Sequence, residues 1–272
     1  MLKINLSKLI GIIIGLSLVF ACSAVAAADT SQGSNALISP ETIGTGLVKE
    51  NIQNFTGTPN EEIAYRGTKE LPSGKVYEVT TKTGRFTINA KTGEIESAII
   101  RDGILSSSIT AKDIPGMEMQ AKAFAQKNYR DFNSKNMVLT ESRILDHGDA
   151  GREYLFVWNE MAGEAYTQSA VMVSVLPDWD NSIAYIGIDR PLLVDTTPKV
   201  SQNVAQETAL RTFAMGSAAK IQSKLVVVPD RDNQKLAWMV ETIETNNDNT
   251  SHGGTVIVDA VLGNVLSVYP LQ

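Results

Sequence analysis

The chain has 272 residues, with 24 Lys or Arg, 30 Asp or Glu, and a formal net charge of −6. This length is sufficient for one large domain or for two to three small domains with buried cores. Because the charges are scattered and form no basic stripe, the sequence argues against nucleic acid as a partner.

The first 28 residues have the features of a secretory signal peptide. Lys3 and Lys8 flank a short polar start, and an uninterrupted apolar run then covers 9–20. This run is shorter than the about 20 residues that cross a bilayer, so we predict no transmembrane span in the mature chain. Cleavage would leave 22 basic against 30 acidic residues, a net charge of −8. We therefore predict an acidic, exported protein located outside the cell or in the cell envelope.

Two processing routes are open at the end of this segment. Cleavage at an Ala-x-Ala pattern, after Ala26 or Ala28, would remove Cys22, which is the one cysteine of the sequence. The mature chain would then hold no disulfide, no catalytic thiol and no Cys-ligated metal. Alternatively, the stretch LVFAC is a lipobox and Cys22 becomes a lipidated first residue, although Phe20 is unusual before such a site.

Helix and strand patterns alternate along the rest of the chain. After a flexible leader over 29–38, a capped amphipathic helix is predicted to begin at Ser39, and strands separated by Gly-containing turns complete a first unit over 39–103. A second helix and four strands, followed by a Pro-containing linker, form a second unit over 104–198. A third helix, which is predicted to begin at Ser201, starts the third unit over 199–272. The sequence thus predicts an α+β fold of three successive units, each with one helix packed on a small antiparallel sheet.

One phrase is written twice, 170 positions apart. It reads FTINAKTGEIESAI over 86–99 and VIVDAVLGNVLSVY over 256–269. Gly93 and Gly263 stand where a tight turn favours positive φ, and Asn89 and Asp259 stand where a side chain can accept backbone N–H groups and hold the hairpin. We interpret these four residues as structural turn residues rather than as catalytic ones.

The last unit resembles a PepSY domain, the module found in propeptides of thermolysin-like metallopeptidases and in many envelope proteins. The resemblance covers about 201–270 and rests on the helix AQETALRTF, the strand LAWMV and the phrase IVDAVLGNVL. The first unit is similar more weakly, with Asn89 where the family often has Asp. The middle unit resembles larger PepSY-like domains of spore-forming bacteria. The resemblance implies a helix on a small antiparallel sheet, no catalytic residues, and a role in restraining or binding peptidases.

Two acidic turns are weak candidates for calcium. PDWDN contains Asp178 and Asp180, and PDRDN contains Asp230 and Asp232. Closely spaced carboxylates suit Ca²⁺, but neither turn continues to the Gly and bidentate Glu of an EF-hand loop, and Pro, Asp and Asn are ordinary turn residues. The turn interpretation is therefore favoured, and we predict no metal and no cofactor.

Other polar residues are candidates for protein contact rather than for chemistry. Trp179 stands at a turn between two Asp residues, while Asn249 and His252 lie in the polar stretch TNNDNTSHGG. His147 and His252, the only histidines, lack the spacing of zinc ligands, and no Gly-x-Ser-x-Gly elbow presents a nucleophile.

The sequence therefore predicts a protein without catalytic activity that binds another protein, with an exported peptidase as the most concrete partner. Two other classes remain open. One is a structural or ligand-binding component of the envelope, which would be lipid-anchored if Cys22 is modified. The other is a carboxylate hydrolase, which would need a measured activity that depends on Asp178, Asp180 or Asp259.

Overall fold

The computed structural model describes residues 44–59, 62–71, 74–101, 113–216, 219–231, 233–245 and 250–271. The fold is mostly β, with 52% strand and 20% helix. The helices of the described residues are α1 (Thr45–Thr56), α2 (Ile114–Asn128) and α3 (Gln202–Thr212), and a 3-10 turn covers Gly148–Ala150. The strands are β1 (Ala64–Leu71), β2 (Gly74–Thr80), β3 (Gly84–Asn89), β4 (Ile95–Ile100), β5 (Met137–Asp146), β6 (Arg152–Ala162), β7 (Ala165–Leu176), β8 (Ser182–Ile188), β9 (Lys220–Asp230), β10 (Asn233–Thr245), β11 (Ser251–Asp259) and β12 (Val265–Pro270).

The strands belong to one mixed sheet, so the prediction of three separate helix-on-small-sheet units is wrong. The sheet order is β1-β2-β3-β4-β8-β7-β9-β10-β11-β12, while β6 pairs with β7 and β5 pairs with β6 off this path. Strand β4 continues into β8 through antiparallel pairs from Ser97↔Ile186 to Ile100↔Ile183. Strand β7 continues into β9 through the parallel pairs Ala165↔Leu225 and Tyr166↔Val226. The alternation of apolar and polar residues identifies the individual strands. It does not show which strand edges pair with one another, so the joining of the predicted small sheets into one could not be predicted.

The described chain divides into two compact units that interleave in sequence. The first contains the residues up to Ser134, Leu139–Trp158 and Ala170–Ile188. The second contains Lys135–Val138, Asn159–Ser169 and the residues from Asp189 onward. The long strands β6 and β7 each contribute residues to both units, because their lengths of 11 and 12 residues exceed the usual five or six.

The first unit has an aromatic core between its helices and its sheet. Helix α1 buries Val48, Ile52 and Phe55 and ends at Gly57, which adopts the left-handed conformation. The ring of Phe55 lies 5.4 Å from that of Phe124 on α2 and 5.1 Å from that of Tyr185 on β8, both at steep angles. These edge-to-face contacts add to the apolar burial that holds the helices on the sheet.

The second unit packs helix α3 on the meander of β9 to β12. Ser201 caps the helix by accepting the N–H of Val204, at 3.4 Å. Ala205 and Ala209 are fully buried in a cluster with Leu236, Trp238 and Val240 of β10, among others. The small alanine side chains let the helix approach the sheet closely, and the indole of Trp238 donates to the carbonyl of Val200 at 2.8 Å.

Candidate functional site

The repeated phrase forms the same turn in both units. In the first unit, the Oδ1 of Asn89 accepts the N–H groups of Lys91 and Thr92, at 2.9 and 3.1 Å. The N–H of Gly93, at φ 76°, then donates to the carbonyl of Asn89. Ala90 donates to the carbonyl of Lys75 in β2, which ties the turn to the neighbouring strand.

The second unit repeats these contacts one for one. The Oδ1 of Asp259 accepts the N–H groups of Val261 and Leu262, at 2.8 and 2.9 Å, and Gly263 at φ 80° donates to the carbonyl of Asp259. Ala260 donates to the carbonyl of Leu236 in β10. Even the bulge recurs, between Thr87/Ile88 in β3 and Ile257/Val258 in β11. All of these hydrogen bonds of Asp259 lie within the turn and hold the hairpin.

Trp179 stands at the turn between β7 and β8. Its backbone N–H donates to the carbonyl of Leu176, and its own carbonyl accepts the N–H of Ser182. Asp180 and Asn181 both adopt positive φ, 50° and 49°, a conformation that Asp and Asn tolerate better than other side chains do. This turn leaves the Trp179 side chain 42% exposed.

A second loop of the first unit holds the indole of Trp179 from the side. The indole N–H donates to the carbonyl of Ala150, in the 3-10 turn between β5 and β6. The His147 ring lies 5.7 Å from the Trp179 ring, centroid to centroid, at a tilted angle. Asp178 also joins the two loops, because its Oδ2 accepts the N–H of Arg152 at 3.2 Å. We call His147, Ala150, Asp178, Trp179 and Asp180 the Trp179 surface.

A short chain of polar contacts extends from His147 of the Trp179 surface. The Nε2 of His147 is 2.9 Å from the Oε2 of Glu153, and the hydroxyl of Ser174 donates to the Oε1 of Glu153 at 2.6 Å. The carboxylate thus stands between the imidazole and the hydroxyl. A serine nucleophile needs its imidazole in direct contact with the hydroxyl, and this order of groups does not provide it. The contact with Glu153 holds the His147 ring in place.

Two of the four calcium candidates, Asp178 and Asp230, are engaged in other contacts. Asp178 is bonded to the backbone as described above, and Asp230 forms an ion pair with Lys235 at 3.0 Å. Asp180 lies exposed in its turn. Among the residues that the structure describes, no group of three or more His, Cys, Asp or Glu side chains could hold a metal ion. Asp232 lies outside the described residues.

The remaining contact candidates do not come together. His252 lies in β11, with its Nε2 3.4 Å from the Oε2 of Glu244 on the paired strand. Asn249, three residues before it in the sequence, and Cys22 lie outside the described residues. The structure therefore groups Trp179 with His147, which the sequence analysis considered only as a zinc ligand, and leaves His252 in the second unit.

The sequence did not single out an ionisable pair in the second unit, which consists of the buried Glu241 and the half-buried Lys224. Glu241 of β10 is 3% exposed, and neither of its carboxylate oxygens has a hydrogen-bond partner. Burial raises the pKa of Glu241, and the positive charge of Lys224 on β9 opposes this rise. Burial lowers the pKa of Lys224, whose Nζ lies 5.3 Å from the centre of the Tyr166 ring. The alternation of Ala237, Met239 and Glu241 along β10 is the signal that could have placed this carboxyl on a buried row.

Comparison with protein-family models and with curated proteins found no match for this sequence. The resemblance to PepSY domains therefore stays a prediction from the residues quoted for it. In the described part of the chain, no helix has both the length and the apolar character that crossing a membrane requires.

Proposed function

We propose that this protein is an exported, non-catalytic protein-binding module whose contact site is the Trp179 surface. The observation that carries the proposal is the exposed indole of Trp179, held by the carbonyl of Ala150 and flanked by the ring of His147. Trp is among the residues that contribute most to binding at interfaces, because its ring combines a large apolar area with a polar N–H.

Pre-organisation supports the same proposal. The indole is bonded through its one donor, and the turn that carries it is bonded at Leu176 and Ser182. A side chain that is already ordered loses little conformational entropy when a partner covers it, so more of the contact energy contributes to affinity. Trp179 therefore combines a large apolar area with a low cost of ordering.

The charge around the Trp179 surface indicates the character of the partner. Asp178 and Asp180 flank Trp179 in the sequence, Asp146 ends β5 and Asp149 lies in the 3-10 turn that follows, whereas Arg152 is the nearby cation in the sequence. A partner with basic groups around an apolar recess would complement this rim and would associate faster at low salt. Restraint of an exported peptidase, which the PepSY resemblance implies, is the most specific form of the proposal.

The alternative is a structural or ligand-binding component of the envelope, favoured by the lipobox-like stretch that ends at Cys22. Mass spectrometry of the protein from its host would decide between the two processing routes. A diacylglyceryl-modified Cys22 would support the anchored protein, and a mature N-terminus near Ala27 or Asp29 would contradict it.

The test of the binding proposal is a pull-down from the host's secreted and envelope fractions, followed by assay of the captured proteins for peptidase activity. The bait is compared with its Trp179→Ala variant and with Leu193→Ala, which shortens an apolar side chain that is 66% exposed in the second unit. Circular dichroism checks that the variants are folded.

We expect a protein that is captured by the wild type and by Leu193→Ala and lost with Trp179→Ala. Inhibition of a captured peptidase, relieved by Trp179→Ala, would support the regulatory form. Capture that is equal for all three baits would contradict the assignment of the contact site, and capture of wall components alone with unchanged peptidase activity would contradict peptidase restraint.

A further inference from the structure

His147 places an exposed titratable ring beside the indole of Trp179. The centroids of the two rings lie 5.7 Å apart, and the His147 side chain is 37% exposed. Its backbone is fixed, because its N–H donates to the carbonyl of Gly151 at 3.0 Å and its carbonyl accepts the N–H of Ala150 at 3.3 Å. Since a protein interface covers an area much larger than one side chain, a partner that covers Trp179 would also meet the imidazole.

The hydrogen bonds around this ring determine which nitrogen carries the proton of the neutral imidazole. Nε2 lies 2.9 Å from the Oε2 of Glu153, whose other oxygen accepts the hydroxyl of Ser174 at 2.6 Å. An ionised carboxylate only accepts hydrogen bonds, so the proton of the neutral ring lies on Nε2. Within the part of the chain that the structure describes, no hydrogen bond of His147 involves Nδ1. Nδ1 is therefore left as an acceptor on a ring that solvent reaches.

Protonation of the ring reverses the character of Nδ1. An imidazolium ion donates from both nitrogens, so it can no longer accept a hydrogen bond. Imidazole is the side chain that ordinarily changes charge between pH 5 and pH 8. The contact of Nε2 with Glu153 is compatible with both forms, since Nε2 carries a proton in each. The change therefore concerns Nδ1 and the charge of the ring.

The charged groups around His147 are acidic apart from one arginine. On the elements that meet at this ring they are Asp146 at the end of β5, Asp149 in the 3-10 turn, Arg152 and Glu153 of β6, and Asp178 and Asp180 between β7 and β8. Carboxylates ordinarily titrate at about pH 4, below the range in which imidazole changes charge. Between pH 5 and pH 8, the imidazole therefore sets the change in charge of the Trp179 surface.

We propose that His147 makes binding at the Trp179 surface dependent on pH. The neutral ring accepts a hydrogen bond at Nδ1 from an ammonium or guanidinium group of the partner. Protonation removes this acceptor and adds a positive charge opposite the partner's basic groups, so binding is strong near pH 8 and weakens toward pH 5. This inference rests on the proposed function, because it specifies how the Trp179 surface recognises a basic partner.

The first measurement needs no partner. The indole N–H resonance of Trp179 is followed by proton–nitrogen NMR from pH 8 to pH 5, and Trp179→Phe identifies the signal. A charge that appears on the neighbouring ring shifts this resonance, so we expect a titration in the wild type and none in His147→Asn. The matched control is His252→Asn, which changes the other histidine of the sequence and should titrate like the wild type. A constant resonance in the wild type, or an equal titration in His147→Asn, would overturn the proposal.

The second measurement repeats the pull-down at pH 8 and at pH 5. We expect the wild type and His252→Asn to capture the Trp179-dependent protein about tenfold less well at pH 5, the effect of one hydrogen bond lost from a desolvated contact. The amide of His147→Asn keeps an acceptor oxygen and cannot be protonated, so this bait should capture equally at both pH values. His147→Ala, which has no acceptor, should capture weakly at both. Circular dichroism at each pH checks that the baits are folded.

Failure of this inference and failure of the proposed function give different results. Capture that depends on Trp179 but is equally strong at pH 8 and pH 5 would overturn the inference and leave the proposed function standing. A pH dependence that persists in His147→Asn would place the titrating group on the partner and would also overturn the inference. Absence of Trp179-dependent capture at pH 8 would contradict the proposed function and, with it, the inference.

Discussion

At the level of single residues, Glu241 costs stability, because a buried carboxylate without hydrogen-bond partners has lost its hydration without replacement. Burial raises its pKa, so the folded state binds the proton more tightly than the unfolded state does. Proton binding to Glu241 therefore contributes fully to the stability of the folded state below the pKa of the unfolded state, about 4.3. It is lost as the pH rises through the raised pKa of the folded state.

We predict that Glu241→Met increases the free energy of unfolding at pH 7 by about 1–3 kcal/mol, because it removes an unsatisfied buried group. The gain is limited because the substitution also removes the carboxylate charge of Glu241, which offsets the effect of burial on the pKa of Lys224. Urea denaturation at pH 7 and pH 4 measures both values, and the gain should be smaller at pH 4. Glu244→Met, on the same strand beside His252, is the control. A gain for Glu241→Met that does not depend on pH would contradict the prediction.

Asp259 and Asn89 permit a matched comparison, because they accept the same two backbone N–H groups in equivalent turns. We predict that Asp259→Ala lowers the free energy of unfolding by about 1–3 kcal/mol, since it leaves two N–H groups without their acceptor in a partly buried turn. Asn89→Ala should cost less, because its turn is exposed and water replaces the acceptor. Asp259→Asn should stay close to the wild type in the same denaturation experiment. An Asn variant as damaging as the Ala variant would show that the negative charge matters.

At the level of elements, the pairing of β10, β11 and β12 depends on a close approach at Gly254. Its φ is 151°, and an added Cβ would collide with the carbonyl of Tyr269 and with the ring of Phe213. We predict that Gly254→Ala destabilises the protein by about 3 kcal/mol or more, the range of overpacking combined with backbone strain. Gly216→Ala, where no atom lies within 4 Å of the added carbon, should change stability by less than about 0.5 kcal/mol. Similar melting temperatures for the two variants would contradict this account.

The same level shows what the sequence could predict. Helices α2 and α3 begin after Asp113 and Ser201, whose side chains accept N–H groups of the first turn. Capping involves residues that are close in the sequence, so it can be predicted from the sequence. The turns at Asn89 and Asp259 are local too. By contrast, the indole of Trp179 meets the carbonyl of Ala150, 29 residues earlier, because the β5–β6 and β7–β8 turns lie at the same end of the first unit. Contacts at that separation depend on which strands are neighbours, whereas the alternation of side chains along a strand shows only which residues share a face.

At the level of the whole molecule, the sequence predicted the strands and missed their assembly into one sheet. The predicted boundary at 199 separates the last repeat from residues that belong to the same compact unit. Ala165 of β7 is fully buried in the cluster that contains Ala205 and Trp238. The side chain of Gln234 accepts the N–H of Leu193 at 2.8 Å and donates to the carbonyl of Pro191 at 2.9 Å. The second unit therefore draws its stability from segments on both sides of the boundary.

This organisation predicts how fragments behave. We expect residues 199–272 alone to unfold at a lower urea concentration than residues 189–272, because the longer fragment keeps the bonds to Gln234 and the packing of Val194 on the core. Both should be less stable than the same unit in the full chain, where Ala165 fills its place and β7 pairs with β9. Trp238 is the one tryptophan of either fragment and reports unfolding by fluorescence, with the full chain carrying Trp158→Phe and Trp179→Phe as the reference. Equal midpoints for the two fragments would mean that the last repeat folds without the segment 189–198.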